Sequence, residues 1–247
     1  MDNAIIKALN SLASQESTAT ENAEKNINQF LEYLATNPDP KIRHFASDML
    51  LTAHSDAACV NELKAKSTAA GYCWLRNKTD TDKRFKNNGA IHVLIKIIKL
   101  ACSSAAESEL AALFINAQEA IPLRQTLIDL DHPQPPIEII ADNSIASGIA
   151  NQTVKQNKLR SMNMRYFRLT DQSQQKLINV RWKPGEMNLA NYFTKHFTGP
   201  YHKKVRPYYS HEHDSPTCIR NLPNPRKFQT NRKSCKGVLS RGMTTNR

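Results

Sequence analysis

The sequence predicts an α/β fold, a mixed five-stranded sheet flanked by helices. Three observations lead to it. Three runs of strand character lie between residues 49 and 95 with short or turn-like connections, the pattern of an antiparallel meander. A helix with a clear start signal follows them. Two further short apolar runs, at 137–141 and 177–182, are set off by helical stretches, so the order becomes three strands, helix, strand, helix, helix, strand, helix.

Each element has its own signal. Ile5, Leu9 and Leu12, and then Ile27, Phe30, Leu31 and Leu34, repeat at helical spacing. The polar stretch between them, 14–22, reads as a loop or frayed helix. Asn37-Pro38-Asp39-Pro40 stops the second helix, because proline lacks the backbone N–H and restricts the residue before it. Met49 to Ser55 reads as a strand ending on Asp56, and Thr68 to Arg76 as its neighbour. Asn87-Asn88-Gly89 is a turn signal leading into a third strand at Ile91–Ile95. Ser104-Ala105-Ala106-Glu107 has capping-box spacing, and Ala106, Leu110, Leu113, Phe114 and Ala117 form one stripe behind it. Leu123, Leu127 and Leu130 suggest a second helical piece, ended by His132-Pro133-Gln134-Pro135-Pro136. Ile137–Ala141 is a short strand, and Asn143 or Ser144 caps a short helix after it. A polar helix is expected over Met164–Gln175, a fifth strand over Leu177–Trp182, and a last short helix over Asn188–His196. No fold is expected from Tyr201 onward.

Composition narrows the function. The chain has 247 residues, 40% hydrophobic and 23% charged, enough for a buried core. Mean hydropathy is −0.56 and no run of about 18 apolar residues occurs, so no membrane span is expected. The amino-terminal residues lack the basic-then-apolar pattern of a secretory signal. Five widely spaced cysteines do not form a disulfide framework and suggest a reducing, intracellular compartment, cytoplasmic or nuclear. Net charge is +12. Residues 201–247 hold 11 Lys/Arg against 2 Asp/Glu, whereas residues 1–200 hold 23 against 20, so the basicity belongs mostly to the tail. Such a tail suits a polyanion, and equally a solvated end without a partner.

Asp56 and Asp142 stand where strands are expected to end, and Glu107 and Glu109 lie in the first turns of the central helix. Carboxylates so placed can converge, and converging carboxylates repel unless a cation neutralises them. Hard oxygen ligands favour magnesium or manganese. Two such ions about 4 Å apart activate water and stabilise the leaving oxygen of a phosphodiester. Glu107 sits three residues after Ser104 and is expected to fold back onto the cap. Glu109 lies about 200° further round the helix and is free of that duty, so it is the expected third acid.

Taken in order, His54-Ser55-Asp56-Ala57, Ala70-Gly71-Tyr72, Glu107-Ser108-Glu109-Leu110-Ala111-Ala112-Leu113, Ala141-Asp142-Asn143 and Asn188-Leu189-Ala190-Asn191-Tyr192-Phe193-Thr194-Lys195 resemble the RNase H region of copia-type LTR retrotransposon polyproteins. The resemblance covers roughly residues 25 to 208, including Val205-Arg206-Pro207. It implies an RNase H-like fold and two-metal endonucleolytic hydrolysis of the RNA strand of an RNA–DNA hybrid. The metals would be Mg²⁺ or Mn²⁺, and no small-molecule cofactor is implied. Asp56, Glu109 and Asp142 fall on three of that family's four acids. Asp56 and Asp142 would hold the metals, and Glu109 would help hold one and orient water. The fourth position is Asn191, where the family pattern has Asp. An amide oxygen can ligate but carries no charge and takes no proton, so metal affinity and turnover are expected to fall. The alternative is a catalytically inactive nucleic-acid-binding remnant. No Tyr-x-Asp-Asp sequence occurs, so no polymerase activity is expected.

The resemblance divides the chain into a helical connection segment (1–48), an RNase H-like domain (49–198) and a basic tail expected to be disordered (199–247). Trp74 and Trp182 are expected in the core rather than as base-stacking platforms. Arg160, Arg165, Arg168, Lys183 and Lys195 are candidates for phosphate contact, indistinguishable from solvated charges by sequence. His211, His213, Cys218 and Cys235 match no familiar zinc-finger spacing.

Overall fold

The computed structural model describes residues 2–14, 20–60, 66–78, 86–99, 102–153, 163–210 and 217–218. Two helices, α1 (Ile6–Ala13) and α2 (Glu21–Thr36), precede the sheet. Thr20 caps α2 by accepting a hydrogen bond from the Ala23 N–H, and Glu21 and Glu24 favour its positive end. Leu9, Ile27 and Leu31 on these helices are exposed.

The sheet begins with the expected meander. β1 (Leu50–Ala58) and β2 (Ser67–Arg76) pair antiparallel. After a two-residue β3 (Lys86–Asn87), β4 (Ala90–Ile98) pairs antiparallel with β2. Beyond the long helix α3 (Ala105–Asp129), β5 (Ile137–Ala141) adds parallel to β1. Helices α4 (Ser144–Ala150) and α5 (Asn163–Gln174) lead to β6 (Ile178–Trp182), parallel to β5. The order across the sheet is β4-β2-β1-β5-β6, which places β1 in the middle. A short helix α6 (Asn191–Thr194), then α7 (Gly199–Tyr209) and a two-residue β7 (Thr217–Cys218) paired with β3, complete the described chain.

Strand alternation sorts side chains onto two cores. Leu51, Ala53, Ala69 and Cys73 face α3, where Leu110, Leu113 and Ala117 are fully buried. Ala70, Tyr72 and Trp74 face the opposite side, against Leu189, Phe193, Val205 and Tyr209. Each fully buried aliphatic side chain contributes roughly 1.5–3 kcal/mol over leaving it in water, so apolar packing dominates the docking of α3. A polar bracket then sets its position. The Asn116 amide donates to Ser55 Oγ at 2.9 Å and to the Ala70 carbonyl at 2.9 Å. Gly71 makes room for it, since a Cβ there would lie 1.7 Å from Asn116 Oδ1.

Several expectations need correction. β1 does not end on Asp56. Its pairing with β2 continues to Ala58 opposite Thr68, so Asp56 lies inside the strand. The two helical pieces expected between 104 and 130 are one 25-residue helix, with Pro122 inside it. Buried Ala120 and Leu127 on either side hold it across the proline. The last short helix is confined to Asn191–Thr194, preceded by a single 3₁₀ turn at Gly185–Met187. Order also extends past Tyr201. In α7 the residues Tyr201, Val205 and Tyr209 repeat at four-residue spacing and are buried, and Pro200 sits in the first turn, where proline is tolerated. Trp74 is in the core as expected, but Trp182 is 53% exposed, because β6 is an edge strand. Among the described residues no helix is long and apolar enough to cross a membrane.

Candidate active site

The register of two parallel strands brings the first two acids together. His54 of β1 lies opposite Ile140 of β5. Asp56 and Asp142 each stand two residues further along, so both side chains project at the same rim of the sheet. Glu109 comes from the second turn of α3, on the same helix face as Asn116 two turns later. The bracket at Asn116 therefore also fixes where Glu109 reaches. One carboxylate oxygen from each of Asp56, Glu109 and Asp142 lies within 4.8 Å of the others. Glu109 Oε1 accepts a hydrogen bond from the Ala57 N–H at 3.3 Å. Glu107 points elsewhere: its Oε2 accepts from the Ser103 N–H at 2.5 Å and from Ser103 Oγ at 2.8 Å. It completes the cap, and the separation of the two glutamates is the one expected of their helical spacing.

Burial makes this cluster electrostatically costly. Asp56 is 1% and Glu109 6% exposed. Burial raises the Asp56 pKa to about 6, with the Lys195 charge opposing and Asp142 reinforcing the rise. Burial likewise raises Glu109 to about 9, with the charges of Asp56 and Asp142 adding to it. Glu109 Oε2 is buried with no hydrogen-bond partner among the described residues. A buried acceptor left in this way is costly, and with the neighbouring carboxylates it is a place that could hold a cation.

The other side of the site is the segment 183–195. Thr194 Oγ1 donates to Asp56 Oδ2 at 2.5 Å and orients that carboxylate. Gly185 lies so close to Asp142 that a Cβ would meet its Oδ2 at 2.4 Å. The Trp182 indole N–H donates to the Asp142 carbonyl at 2.8 Å. Asn191 is buried, its backbone carbonyl accepts from Thr194 Oγ1 at 3.1 Å, and its amide oxygen accepts a hydrogen bond from the Lys195 ammonium. Its Nδ2 lies 3.5 Å from the Gly185 carbonyl. The segment is tied to β1 by His54, whose Nδ1 accepts from the Leu189 N–H at 2.8 Å, and by Asn188, which donates to the Ser55 carbonyl at 2.7 Å. Burial and the nearby Lys183 charge hold the His54 pKa well below the ordinary histidine range, so the ring stays neutral and can accept.

The structure thus brings Asp56, Glu109 and Asp142 together, and links Asn191 to Asp56 through Thr194. Of the basic candidates, Lys195 stands at this site and Lys183 is buried near His54. Arg165 lies over the Phe114 ring at 5.5 Å and Arg168 pairs with Asp171 at 3.5 Å. Arg160 lies outside the described residues, as do His211, His213 and Cys235. Thr194, Gly185 and Asn116 were not among the residues expected to shape the site. The Thr-Lys ending of the last motif was the available signal for Thr194.

No protein-family profile matches the sequence, and no curated protein does. Among solved structures, the chain is similar to the N-terminal RNase H domain of a Mycobacterium tuberculosis protein, determined as a fusion with maltose-binding protein. Identity there is 13% over 57% of this chain and 86% of that one, with a TM-score of 0.41. It is also similar to LC11-RNase H1, isolated from compost by a metagenomic approach, at 13% identity over 58% and 91% with a TM-score of 0.42. LC11-RNase H1 in complex with an RNA/DNA hybrid gives 11% identity, 56% and 88% coverage and a TM-score of 0.40. These likenesses are distant, and the carboxylate geometry stands independently of them.

Proposed function

We propose that this chain is a divalent-metal-dependent ribonuclease H that hydrolyses the RNA strand of RNA–DNA hybrids, derived from a copia-type retrotransposon polyprotein and weakened by Asn191. The observation that carries this reading is the convergence of three carboxylates, two of them buried, with one Glu109 oxygen left unpartnered. The motif order of the sequence supports the retrotransposon origin.

The residues present fit a magnesium or manganese ion. The donors are hard oxygens, close together, and burial pushes Asp56 and Glu109 toward their protonated forms, a cost that a cation would offset. Asp56, Glu109 and Asp142 would hold the metal. Such an ion, when bound, neutralises charge on a phosphodiester and acidifies an attacking water. The protein's own part is placement. Thr194 holds Asp56 in one orientation, the parallel register holds Asp142 beside it, and Asn116 holds the helix that carries Glu109. Lys195 supplies positive charge beside the cluster, suited to a substrate phosphate. Asn191 contributes no charge, and its one acceptor oxygen is already engaged by Lys195. The site therefore holds cations less tightly than four carboxylates would.

The second reading, a nucleic-acid-binding remnant without turnover, is favoured by that same engagement of Asn191. A cleavage assay separates the two. Full-length protein is incubated with an RNA–DNA hybrid labelled on the RNA strand, in magnesium and then in manganese. Slow cleavage that Asp56→Asn abolishes supports the enzyme. Hybrid binding without cleavage in either metal leaves the remnant, and neither binding nor cleavage ends both.

A further inference from the structure

The connection helices and α7 enclose a groove that the carboxylate site does not account for. Its volume is about 790 Å³, and its walls come from α1, α2, the 195–199 segment and α7. Lys7, Lys195, Lys203 and Arg206 line it, and no Asp or Glu does. Arg206 has a counter-charge in Asp2, 3.7 Å away, which is itself not part of the lining. The lining thus carries charge of one sign, with Lys203 and Arg206 coming from the basic stretch beyond residue 200. Cations gathered in a cleft focus a positive potential and concentrate anions there.

Aromatic rings add a second kind of contact. Phe30 of α2 and Phe197 line the same space. Phe197 is braced from behind, its ring 4.4 Å from that of Tyr201 and 6.0 Å from that of Tyr192. Basic groups that track a backbone, with aromatic faces for bases, are the means by which proteins hold single-stranded nucleic acid. An acidic peptide would use the charges but leave the rings without a purpose. The volume falls within the roughly 300–1,000 Å³ of small-ligand pockets, room for a short stretch of one strand and not for a duplex.

Lys195 is common to the groove and the carboxylate site: it lines the groove, its ammonium donates to Asn191, and its charge acts on Asp56. We propose that this groove binds a single-stranded segment of nucleic acid continuous with the strand lying at the carboxylates. The identity of the ligand rests in part on the ribonuclease reading, but binding can be measured without cleavage.

The test uses the full chain and a short fluorescent single-stranded oligothymidylate, with far-ultraviolet circular dichroism as a check on folding. Ultraviolet crosslinks should map to α2 and the 195–203 region. Phe30→Ala should weaken binding about tenfold, as expected for one lost stacking contact. Lys203→Glu, at an exposed position, should weaken it most at low salt and flatten its salt dependence. Unchanged affinity in Lys203→Glu, or crosslinks confined to the basic tail, overturns the proposal. Equal displacement of the oligonucleotide by polyglutamate of matched charge also overturns it. Single-strand binding that survives while hybrid cleavage fails removes the ribonuclease reading and leaves the groove standing.

Discussion

Where β1, α3 and β5 meet, the site is acidic and each side chain is placed by regular backbone. Across from it, in segment 183–195, the side chains that reach the acids, Thr194 and Lys195, are neutral or cationic and are placed by turns and a four-residue helix. The acidic half follows from sheet register and one helix bracket, so it survives small changes elsewhere. The other half decides how strongly those acids can hold a cation and present it to substrate. Asn191, an uncharged residue, belongs to that second half. The comparison teaches that the three carboxylates are gathered by the sheet and α3, while the charge and hydrogen bonding around them are set by a separate, less regular segment.

The largest effect should come from breaking the acidic half. Asp142→Asn removes one of three charges from the cluster. A bound metal is worth several kcal/mol of transition-state stabilisation, so the rate of hybrid cleavage should fall about a thousandfold. Single-turnover cleavage in manganese measures it. A loss smaller than tenfold would mean the chemistry does not use this cluster.

The next effect should come from repairing the other half. Asn191→Asp restores a fourth carboxylate and converts the Lys195 contact into an ion pair. Manganese affinity, read by titration calorimetry, should rise about tenfold, the scale of changes seen on altering residues around a metal. Cleavage at low magnesium should rise with it. Equal affinities for both proteins would place the weakness somewhere other than Asn191.

A third effect appears in stability without metal. The Asp56 and Glu109 pKa values are raised in the folded protein, from 3.8 to about 6 and from 4.5 to about 9. The folded state therefore binds more protons than the unfolded chain between those values. Stability from this source is full below about pH 4, falls as pH rises, and is gone above about pH 9. In EDTA the melting temperature should drop between pH 5 and pH 9. Glu109→Gln should flatten the upper part of that slope, and added manganese should offset it. A melting temperature independent of pH in the parent protein would contradict the burial of these carboxylates.

The two halves also differ in how far they could be read from sequence. Asp56 and Asp142 were placed by strand signals, although Asp56 lies inside its strand and not at its end, and Glu109 separates from Glu107 by helix geometry. No one of these signals singles out an acid, and it is their order along the chain that does. The five-strand count was legible from the same strand signals, whereas the single long helix was not, because Pro122 reads as a break between two pieces. The contacts of the second half join residues more than a hundred positions apart, such as Thr194 with Asp56 and Leu189 with His54. Such pairs leave no local period. Gly71 and Asn116 are similarly silent, because only the fold shows that one makes room for the other. Helix α7 was hidden by Pro200, Pro207 and its charges, although the stripe of Tyr201, Val205 and Tyr209 was present to be read. Exposure of Trp182 depended on β6 being an edge strand, which composition does not reveal.

Trp182 gives the smallest effect and joins the two halves. Its ring is exposed, yet its indole N–H holds the carbonyl of Asp142. Trp182→Phe keeps an aromatic face and removes that donor. A lost hydrogen bond of this kind costs about 1 kcal/mol, so cleavage should slow about fivefold with hybrid affinity unchanged. Trp182→Ala removes the face as well. If the ring also stacks on substrate, affinity should fall by a further 1–3 kcal/mol, roughly. Trp74 is buried, so the change in tryptophan fluorescence on hybrid binding should come from Trp182 and vanish in both variants. Equal affinities for the Phe and Ala variants would restrict Trp182 to positioning Asp142. A quench retained in Trp182→Phe would mean that binding is felt in the core at Trp74, and that the rim and the sheet are more closely coupled than the contrast between the two halves implies.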